Sequence, residues 1–523
     1  MVDILRNPDL VKIYCDEENV DTKVEFETEG RKLKIFVTAN ESRPRMICLR
    51  WYYKTEEAVS VMGDKWERAY GDMTWHSLNG ETFMPWYFIV NNGKDNACCG
   101  VMTGCSSFVS FQYDASGVTA WVDVRCGGVG VDLSGRRLHA CTVVCEHYEN
   151  MSAFSAAKAF CRVMCENPIL PKEPVYGSNN WYYAYGNSSF EEIIEDARLI
   201  SSLAGENKNR PFMVIDDGWQ INKCDGPWIP NEKYRDMKEV ADRFKEMGIR
   251  PGIWFRPLHS SPVEKEHPEW LINRSVMKFL DPSHPEVKKL IKEDIERIIG
   301  WGFELIKHDF SQCDMFGHFG WDLNGSITNY KDWSFYDRKK TSAEITLDFY
   351  RLIKETAGDA YIIGCDTVSH LSAGLVEISR VGTDTSGRCW SVTRMNGVNC
   401  LAFRMCQNDA FYKVDADCVG LMADNIPWKL NCQWLDLLSK SGSPLFVSMQ
   451  PSVITPEIFE DLKKAFKINS VQEDVAEPLD WMYNNQPQKW LINGEEVEYD
   501  FVMDSPPRLL GYKIGDLSST NMF

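Results

Sequence analysis

The sequence predicts an α/β protein whose centre is a (β/α)8 TIM barrel, flanked by an N-terminal β-sandwich and a small C-terminal β domain. Three observations favour this architecture. The chain has 523 residues, short apolar strands alternate with amphipathic helices in its middle, and several of those strands end in acidic residues. A length of 523 corresponds to roughly two to four domains, and a hydrophobic content of 44% is ordinary for a globular protein with a large core.

Residues 1–172 are predicted to form the β-sandwich and a helical connector. Apolar and charged side chains alternate over residues 32–37, as they do along strands with one buried face. The segment from Asp114 to Gly117 separates two further strand patterns and predicts a hairpin turn. Apolar residues at helical spacing over 151–164 predict the connector.

Residues 173–455 are predicted to form the barrel. Amphipathic helices are predicted between its strands, and the first of these helices begins with a capping box at Ser188 and Glu191. The runner-up architecture is a doubly wound open sheet. The barrel is favoured because acids follow four of the strands, and the carboxyl ends of barrel strands converge on one mouth. The eight predicted strands are 177–183, 212–217, 249–256, 303–309, 361–366, 378–384, 417–422 and 444–448.

Residues 456–523 are predicted to form the small C-terminal β domain. Asn493 and Gly494 lie between two apolar runs, and this dipeptide is a strong hairpin signal. The sequence leaves open whether the chain forms a homo-oligomer.

Composition excludes several classes of partner. The formal net charge of −19 argues against nucleic acid and against anionic membrane surfaces, which both require a basic footprint. The N-terminus has no apolar segment of signal-peptide length, and no run approaches transmembrane length. Eighteen cysteines in such a chain are expected to be reduced thiols of a cytoplasmic protein. No ligand spacing predicts a metal site, and no cofactor is expected.

The polar residues at the predicted strand ends suit a polyhydroxylated ligand. Carboxylates accept hydrogen bonds from sugar hydroxyls, and lysine and arginine donate to sugar oxygens. Tryptophans can stack on the apolar face of a pyranose, although each of them could equally belong to the core. The candidate ligand-binding residues are Asp216, Asp217, Trp254, Lys307, Cys365, Asp366, Arg380, Trp181 and Trp219.

Two aspartates with unlike surroundings are candidates for glycoside cleavage. Such cleavage needs one carboxylate that stays ionised and one that holds a proton. Asp309 lies two residues from Lys307, whose charge favours the ionised form, so Asp309 is the better nucleophile. Asp384, on a Gly-Thr turn, is the better acid/base. A nearby Arg380 would keep Asp384 ionised, and the sequence does not place that guanidinium.

In these motifs the chain resembles the retaining α-galactosidases of glycoside hydrolase family 36. The resemblance implies an N-terminal β-sandwich, a barrel and a C-terminal β domain. It also implies Asp309 as nucleophile and Asp384 as acid/base, with Asp216, Asp217, Trp254, Lys307 and Arg380 holding the sugar. The matching segments are Asn180-Trp181-Tyr182, Asp216 to Trp219, Pro251 to Trp254, Lys307-His308-Asp309, Arg380 to Asp384, and residues 409–418.

The predicted function is retaining exo-hydrolysis of terminal α-linked galactose from oligosaccharides or glycoconjugates by double displacement. Departures from the family pattern at Ser178, Asn180 and Asp366 concern the pocket wall, so an α-N-acetylgalactosaminidase on the same scaffold is an alternative. A transglycosylase of the raffinose-synthase kind is a second alternative. A sugar-binding barrel without catalysis is a third, and the Asp309 and Asp384 pair argues against it.

Overall fold

The computed structural model describes residues 4–55, 58–318, 332–423 and 426–501. Its architecture is α/β, as predicted, with antiparallel sheets at the N-terminus and a curled parallel sheet with helices in the middle. Residues 502–523 of the predicted C-terminal β domain lie outside the described residues.

The N-terminal part contains two antiparallel sheets that pack face to face. The alternating side chains Leu33, Ile35 and Val37 are fully buried, and the Phe88 and Phe111 rings, one from each sheet, lie 5.4 Å apart. The predicted hairpin at Asp114 to Gly117 is present. The five-stranded sheet runs Leu10–Cys15, Pro44–Tyr52, Gly117–Asp123, Phe108–Asp114 and Asn79–Pro85; the seven-stranded sheet runs Lys23–Glu29, Lys32–Thr38, Leu138–Tyr148, Asn96–Val101, Tyr87–Asn91, Ser60–Gly63 and His76–Ser77.

One cysteine pair differs from the prediction. Cys99 and Cys145 form a disulfide between two neighbouring strands, so the expectation that every cysteine is a free thiol is wrong for this pair. The two residues lie directly opposite each other in the antiparallel ladder, with their Cα atoms 4.3 Å apart, which brings the side chains within bonding reach. The other sixteen cysteines are free thiols.

The middle of the chain forms a nine-stranded sheet in which every neighbouring pair is parallel. Its spatial order follows the sequence, and the strand Tyr176–Asn179 pairs both with Phe212–Ile215 and with Leu445–Met449. The first strand therefore lies beside the last, unlike the order of a doubly wound sheet. From edge to edge the strands are Lys413–Asp415, Ile378–Arg380, Tyr361–Gly364, Leu305–His308, Arg250–Phe255, Phe212–Ile215, Tyr176–Asn179, Leu445–Met449 and Cys418–Leu421.

All eight predicted strands differ from the observed ones by at least one residue at an end, and three of the differences concern the site. The first strand ends at Asn179 and is followed by the helical turn Trp181–Ala184, so Trp181 does not lie on a strand. The sixth ends at Arg380, before the turn that carries Asp384. The seventh covers Cys418–Leu421, and the sequence missed the preceding strand Lys413–Asp415; Asp417, with a left-handed backbone of φ 70°, lies between the two.

The helices bury the apolar stripes that the sequence predicted. The helix Phe190–Ala204 is capped by Ser189, which accepts from the Glu192 N–H, one residue later than the predicted capping box. A complete capping box begins a later helix, between Thr341 and Glu344. The helices of eight or more residues are Ala153–Met164, Phe190–Ala204, Met237–Glu246, Pro285–Gly300, Ser342–Ala357, Trp428–Lys440 and Pro456–Asn469.

The tail begins with a helix rather than with β structure. Pro456–Asn469 is helical, and its apolar side chains Leu462 and Phe466 are fully buried. A three-stranded antiparallel sheet follows, formed by Glu477–Pro478, Lys489–Ile492 and Glu495–Glu498. The predicted hairpin at Asn493 and Gly494 is present, and both residues have the positive φ that such a turn requires.

Candidate active site

The side chains that follow the parallel strands meet at the carboxyl edge of the sheet, with Lys307 among them. Lys307 Nζ donates to Asp216 Oδ2 at 2.7 Å. Burial lowers the pKa of Lys307, but the charges of Asp216 and Asp309 raise it well above its ordinary value. Lys307 is therefore a fixed cation between groups contributed by the second, fourth and fifth strands.

Asp309 lies directly after the fourth strand and is held by two donors. Trp254 Nε1 donates to its Oδ2 at 3.1 Å, and the backbone N–H of Phe310 donates to its Oδ1 at 2.8 Å. Phe310 has φ 58°, a strained backbone for an aromatic residue, and this turn directs its N–H onto the carboxylate. Burial would raise the pKa of Asp309, but Lys307, Arg68 and these donors lower it below its ordinary value.

Asp216 and Asp217 are buried and held by different partners. Asp216 accepts from Lys307 and, at 2.7 Å, from Asn179 Nδ2. Asp217 Oδ1 accepts from Gln220 Nε2 and from the Cys224 N–H, both at 2.6 Å. Burial raises the pKa of Asp217 in spite of these donors. The structure therefore brings Asp216 into the cluster with Lys307 and Asp309, while Asp217 is tied to the loop after its strand.

Asp384 lies on the turn after the sixth strand, and Arg380 is its neighbour. Arg380 Nη2 lies 3.0 Å from Asp384 Oδ1 and 2.7 Å from Asp417 Oδ2, so one guanidinium bridges two carboxylates. The Asp384 side chain is 30% exposed, whereas those of Arg380 and Asp417 are 2% and 4% exposed. Desolvation and Asp417 raise the pKa of Asp384 above its ordinary value, against the charges of Arg380, Arg68 and Lys307.

The two residues after the fifth strand have different surroundings from those predicted. Burial raises the pKa of the Cys365 thiol well above its ordinary value, so Cys365 is neutral, and Arg380 Nη1 lies 3.8 Å from its sulfur. Asp366 is 0% exposed, accepts from the Cys313 N–H at 3.0 Å and hydrogen-bonds Glu67. Asp366 therefore lies against Glu67, and its contact with the sugar stays a prediction.

Trp219 and Trp181 differ in how far their side chains are buried. Trp219 is fully buried in an aromatic cluster and donates its indole N–H to the Trp254 carbonyl at 2.9 Å, so it supports Trp254 from behind and does not face the mouth. Trp181 is half-buried beside Tyr185, with ring centroids 5.2 Å apart. The side chain of Lys223 lies over the Trp181 ring. Trp181 is therefore the tryptophan of the two with an accessible face.

A loop of the N-terminal part reaches the same cluster. Ala69 donates to the Val381 carbonyl at 2.8 Å and accepts from the Thr383 N–H at 3.2 Å, directly before Asp384. The neighbouring Arg68 interacts electrostatically with both Asp309 and Asp384. Sequence reasoning missed Arg68 and Glu67, because no local pattern indicates that this loop docks on the parallel sheet.

The Glu67 and Asp366 carboxyl groups form a buried pair behind the cluster. Glu67 hydrogen-bonds the Asp366 carboxyl and accepts from the Tyr70 hydroxyl. Burial raises the pKa of Asp366 well above its ordinary value, and Glu67 and Asp309 raise it further. The docked loop and the fifth strand are thereby joined by a hydrogen bond between two carboxyl groups.

The cluster contains the parts that glycoside cleavage needs. It offers one carboxyl group with a lowered pKa, Asp309, and one partly accessible carboxyl group with a raised pKa, Asp384. Lys307, Arg380 and Arg68 are cations around both. Within the described ranges, no group of three or more His, Cys, Asp or Glu side chains is arranged to hold a metal ion.

Comparison with known proteins places this arrangement in a family. Residues 172–367 match the family model Melibiase, and Asp384 and Asp417 lie beyond the matched segment. A search of curated protein sequences finds no match.

Solved structures share the fold. An α-galactosidase from Thermus thermophilus in complex with p-nitrophenyl α-D-galactopyranoside is 17% identical, with a TM-score of 0.62 over 91% of this chain and 99% of that chain. Variants of the family 36 α-galactosidase AgaA from Geobacillus stearothermophilus were solved with 1-deoxygalactonojirimycin and with raffinose. They are 14% and 13% identical, with TM-scores of 0.61 and 0.62, over 93% of this chain and 77% of those chains. Residues 172–367 thus match the Melibiase family model, and the fold of the chain is similar to that of family 36 α-galactosidases, which supports the resemblance inferred from its motifs.

Proposed function

We propose that this protein is a retaining α-galactosidase that removes terminal α-linked galactose from oligosaccharides or glycoconjugates. The observation that carries the proposal is the pair of aspartates at one edge of the sheet whose pKa values move in opposite directions. Lys307, Arg68 and two hydrogen-bond donors outweigh burial and lower the pKa of Asp309, whereas desolvation raises the pKa of Asp384. The related α-galactosidases were solved with the α-galactosides raffinose and stachyose, which supports the choice of sugar.

The mechanism follows from these two carboxyl groups. Asp309, ionised and held by Trp254 and Phe310, attacks the anomeric carbon and forms a covalent β-galactosyl ester as the C1–O bond to the leaving group breaks. Asp384 donates its proton to the departing oxygen. In the second step Asp384 accepts a proton from water, the water attacks the anomeric carbon, and Asp309 leaves. Two inversions retain the α configuration.

The sugar is held by the side chains that surround this pair. Asp216 can accept hydrogen bonds from sugar hydroxyls, since its oxygens are oriented by Lys307 and Asn179. Lys307 and Arg380 can donate to sugar oxygens, and Trp254 forms the wall beside Asp309. Asp217 and Cys365 line the deeper part of the pocket, and Trp181 is placed at its accessible rim. We leave Trp219 and Asp366 out of the sugar-binding set because both are buried behind it.

We also propose that the curled sheet is a closed (β/α)8 barrel with an interrupted seventh strand. The strands Lys413–Asp415 and Cys418–Leu421 are the two edges of the sheet, and only Ala416 and Asp417 separate them. Counting them as one strand leaves eight, and the first neighbours the last. This reading supports an N-terminal division after residue 172 and a barrel that begins at residue 173. We move the end of the barrel from residue 455 to residue 469, because the helix Pro456–Asn469 packs on Trp428–Lys440.

The cytoplasmic compartment is proposed from the sixteen free cysteines, which suit a reducing environment, although one disulfide is present. No helix among the described residues is long and apolar enough to cross a membrane.

Chemical rescue tests the mechanism. Asp309→Gly and Asp384→Gly should each lose nearly all turnover of raffinose. With added azide, Asp309→Gly should form β-galactosyl azide, because azide enters on the face that the nucleophile occupied. With 2,4-dinitrophenyl α-galactoside, which forms the galactosyl-enzyme without acid assistance, Asp384→Gly should instead form α-galactosyl azide, because azide replaces water in the second step. Proton NMR distinguishes the two anomers, and the same anomer from both variants would contradict the two assigned roles.

A matched control and a substrate panel complete the test. Asp294→Gly removes a buried carboxyl group from an outer helix, where it pairs with Arg297, and should leave turnover unchanged apart from a loss of stability. A panel of p-nitrophenyl α-glycosides compares galactose with N-acetylgalactosamine. Faster turnover of the acetamido sugar would replace the proposed substrate with that of the alternative enzyme on the same scaffold.

A further inference from the structure

The contact between Arg380 and Asp384 presents a difficulty for the proposed function. An acid/base must hold a proton before the sugar bond breaks, and a guanidinium at 3.0 Å favours the ionised form of a carboxyl group. The same nitrogen, however, lies nearer to Asp417, at 2.7 Å. We propose that Asp417 is a positioning residue that takes up the charge of Arg380, so that Asp384 can carry the proton the leaving group needs. This inference rests on the proposed function.

The hydrogen bonds indicate that Asp417, rather than Asp384, is the principal partner of Arg380. Asp417 Oδ2 accepts from the Thr385 N–H at 2.6 Å, from Thr385 Oγ1 at 3.1 Å and from the Tyr182 hydroxyl, besides its contact with Arg380. Asp384 Oδ1 has the Arg380 contact alone among the hydrogen bonds found for its carboxyl group in the described ranges. A carboxylate with several donors remains ionised, and it can neutralise a buried cation.

The backbone fixes both ends of this arrangement. The left-handed turn at Asp417 interrupts the seventh strand, and the Asp417 N–H donates to Asp415 Oδ1 at 2.9 Å. Thr385 follows Asp384 directly, and its one hydroxyl proton is shared between Asp417 Oδ2 and the Cys418 carbonyl, which is the nearer acceptor at 2.8 Å. The contacts of Asp417 with Thr385 therefore hold the turn that carries Asp384 against the seventh strand.

The charged groups around Asp384 come from four elements. Arg380 precedes it on the sixth strand, Lys307 lies on the fourth strand, and Arg68 comes from the docked N-terminal loop; all three lower the pKa of Asp384. Burial raises that pKa most, and the negative charge of Asp417 raises it further. Asp415 lies in the same group, where burial raises its own pKa. If the Asp417 charge is removed, the three cations still lower the pKa of Asp384, but the carboxylate that opposes them is lost.

The test is the pH dependence of Asp417→Asn. Because Asp384 must be protonated, its pKa sets the basic limb of kcat/KM. Without the opposing carboxylate, Arg380 should lower that pKa, and the basic limb should move down by about one pH unit. At pH 7, turnover of raffinose, which needs acid assistance, should fall by up to about ten times more than turnover of 2,4-dinitrophenyl α-galactoside, which does not. A purely structural defect would lower both equally and leave the limb in place. Asp294→Asn is the control for a buried, arginine-paired aspartate elsewhere.

Two further measurements cover a variant that fails to fold and an inactive wild type. Tyr182→Phe removes one donor from Asp417 and leaves its charge, so the basic limb should stay or move up; a downward shift equal to that of Asp417→Asn would overturn the inference. Infrared titration of the carboxyl band that Asp384→Asn abolishes reports proton binding without turnover. An unchanged Asp384 titration in Asp417→Asn overturns the inference, whereas a wild type that cleaves no α-galactoside overturns the proposed function alone.

Discussion

Lys307→Met tests whether one buried cation keeps Asp309, the proposed nucleophile, ionised. Lys307 Nζ lies 2.7 Å from Asp216 and interacts electrostatically with Asp309. Its side chain is 12% exposed and that of Asp216 is 4% exposed, so water screens the group poorly. Methionine keeps most of the apolar stem and removes the charge. Two buried carboxylates then share a pocket from which their common cation has been removed.

The expected magnitude follows from the size of such charge effects. An opposite charge within about 4–6 Å lowers a carboxyl pKa by about 1–3 units, equivalent to about 1.4–4 kcal/mol. A lowered pKa contributes stability above the unfolded value near 3.8, and that contribution is lost as the pH falls toward the native value. In Lys307→Met the pKa of Asp309 should rise, because burial is no longer opposed by this charge. The acid limb of kcat/KM should therefore move up by about 1–3 pH units.

The assay is the pH profile of p-nitrophenyl α-galactoside hydrolysis, followed together with the urea midpoint at pH 7. Loss of one partner from a buried charge group should lower the free energy of unfolding by about 3–5 kcal/mol. Lys340→Met is the control, since Lys340 pairs with Asp348 at the surface, where the side chains are 37% and 28% exposed, and such pairs contribute about 0–1 kcal/mol. An acid limb that stays in place in a folded Lys307→Met variant would refute the reasoning.

Three other substitutions have defined outcomes. Asp64→Asn should lower the free energy of unfolding by about 3–5 kcal/mol, because Arg404 loses a 2.6 Å partner and both side chains are at most 1% exposed; urea unfolding measures it. Trp254→Phe removes the N–H that Asp309 accepts at 3.1 Å, and kcat/KM should fall about tenfold. Thr341→Ala removes a capping box and should cost about 1 kcal/mol, seen in thermal unfolding.

Each of these has a result that would contradict it. Asp242→Asn removes an exposed partner of Lys238, with side chains 52% and 59% exposed, and serves as the stability control. If Asp64→Asn unfolds at the same urea concentration as this control, the buried pair does not stabilise the docking of the two parts. Unchanged kcat/KM in Trp254→Phe would mean that the indole does not hold the nucleophile. A Thr341→Ala loss below the experimental error would mean that other contacts fix that helix start.

Local pattern was sufficient for the residues that follow regular strands. Asp216, Lys307 and Asp309 were predicted to share one edge because parallel strands bring their carboxyl ends together, and in the structure Lys307 contacts Asp216 and interacts electrostatically with Asp309. The same reasoning did not predict that Asp366, which follows the fifth strand, is buried against Glu67. Its orientation depends on a loop more than 250 positions away in the chain, and strand periodicity contains no information about such a partner.

Trp219 shows the same limit for aromatic residues. The sequence left its two readings, sugar platform and core, open, and burial among other tryptophans decides for the core. Asp417 was visible only as part of a motif. Its role depends on a positive φ between two strands and on a guanidinium shared with Asp384, and neither feature can be inferred from spacing.

The sequence by itself determined the alternation of strands and helices and the order of the motifs that carry the resemblance to family 36. These depend on side-chain periodicity and on residues close together in the chain. The tertiary structure alone decided how the two aspartates differ. Proton affinity in a buried site depends on charges within a few ångströms, and here those charges come from Arg68 and Asp417 as well as from Lys307 and Arg380. Arg68 belongs to the docked N-terminal loop and Asp417 to the turn before the strand Cys418–Leu421. Only the folded chain brings these two segments to the carboxyl edge of the sheet.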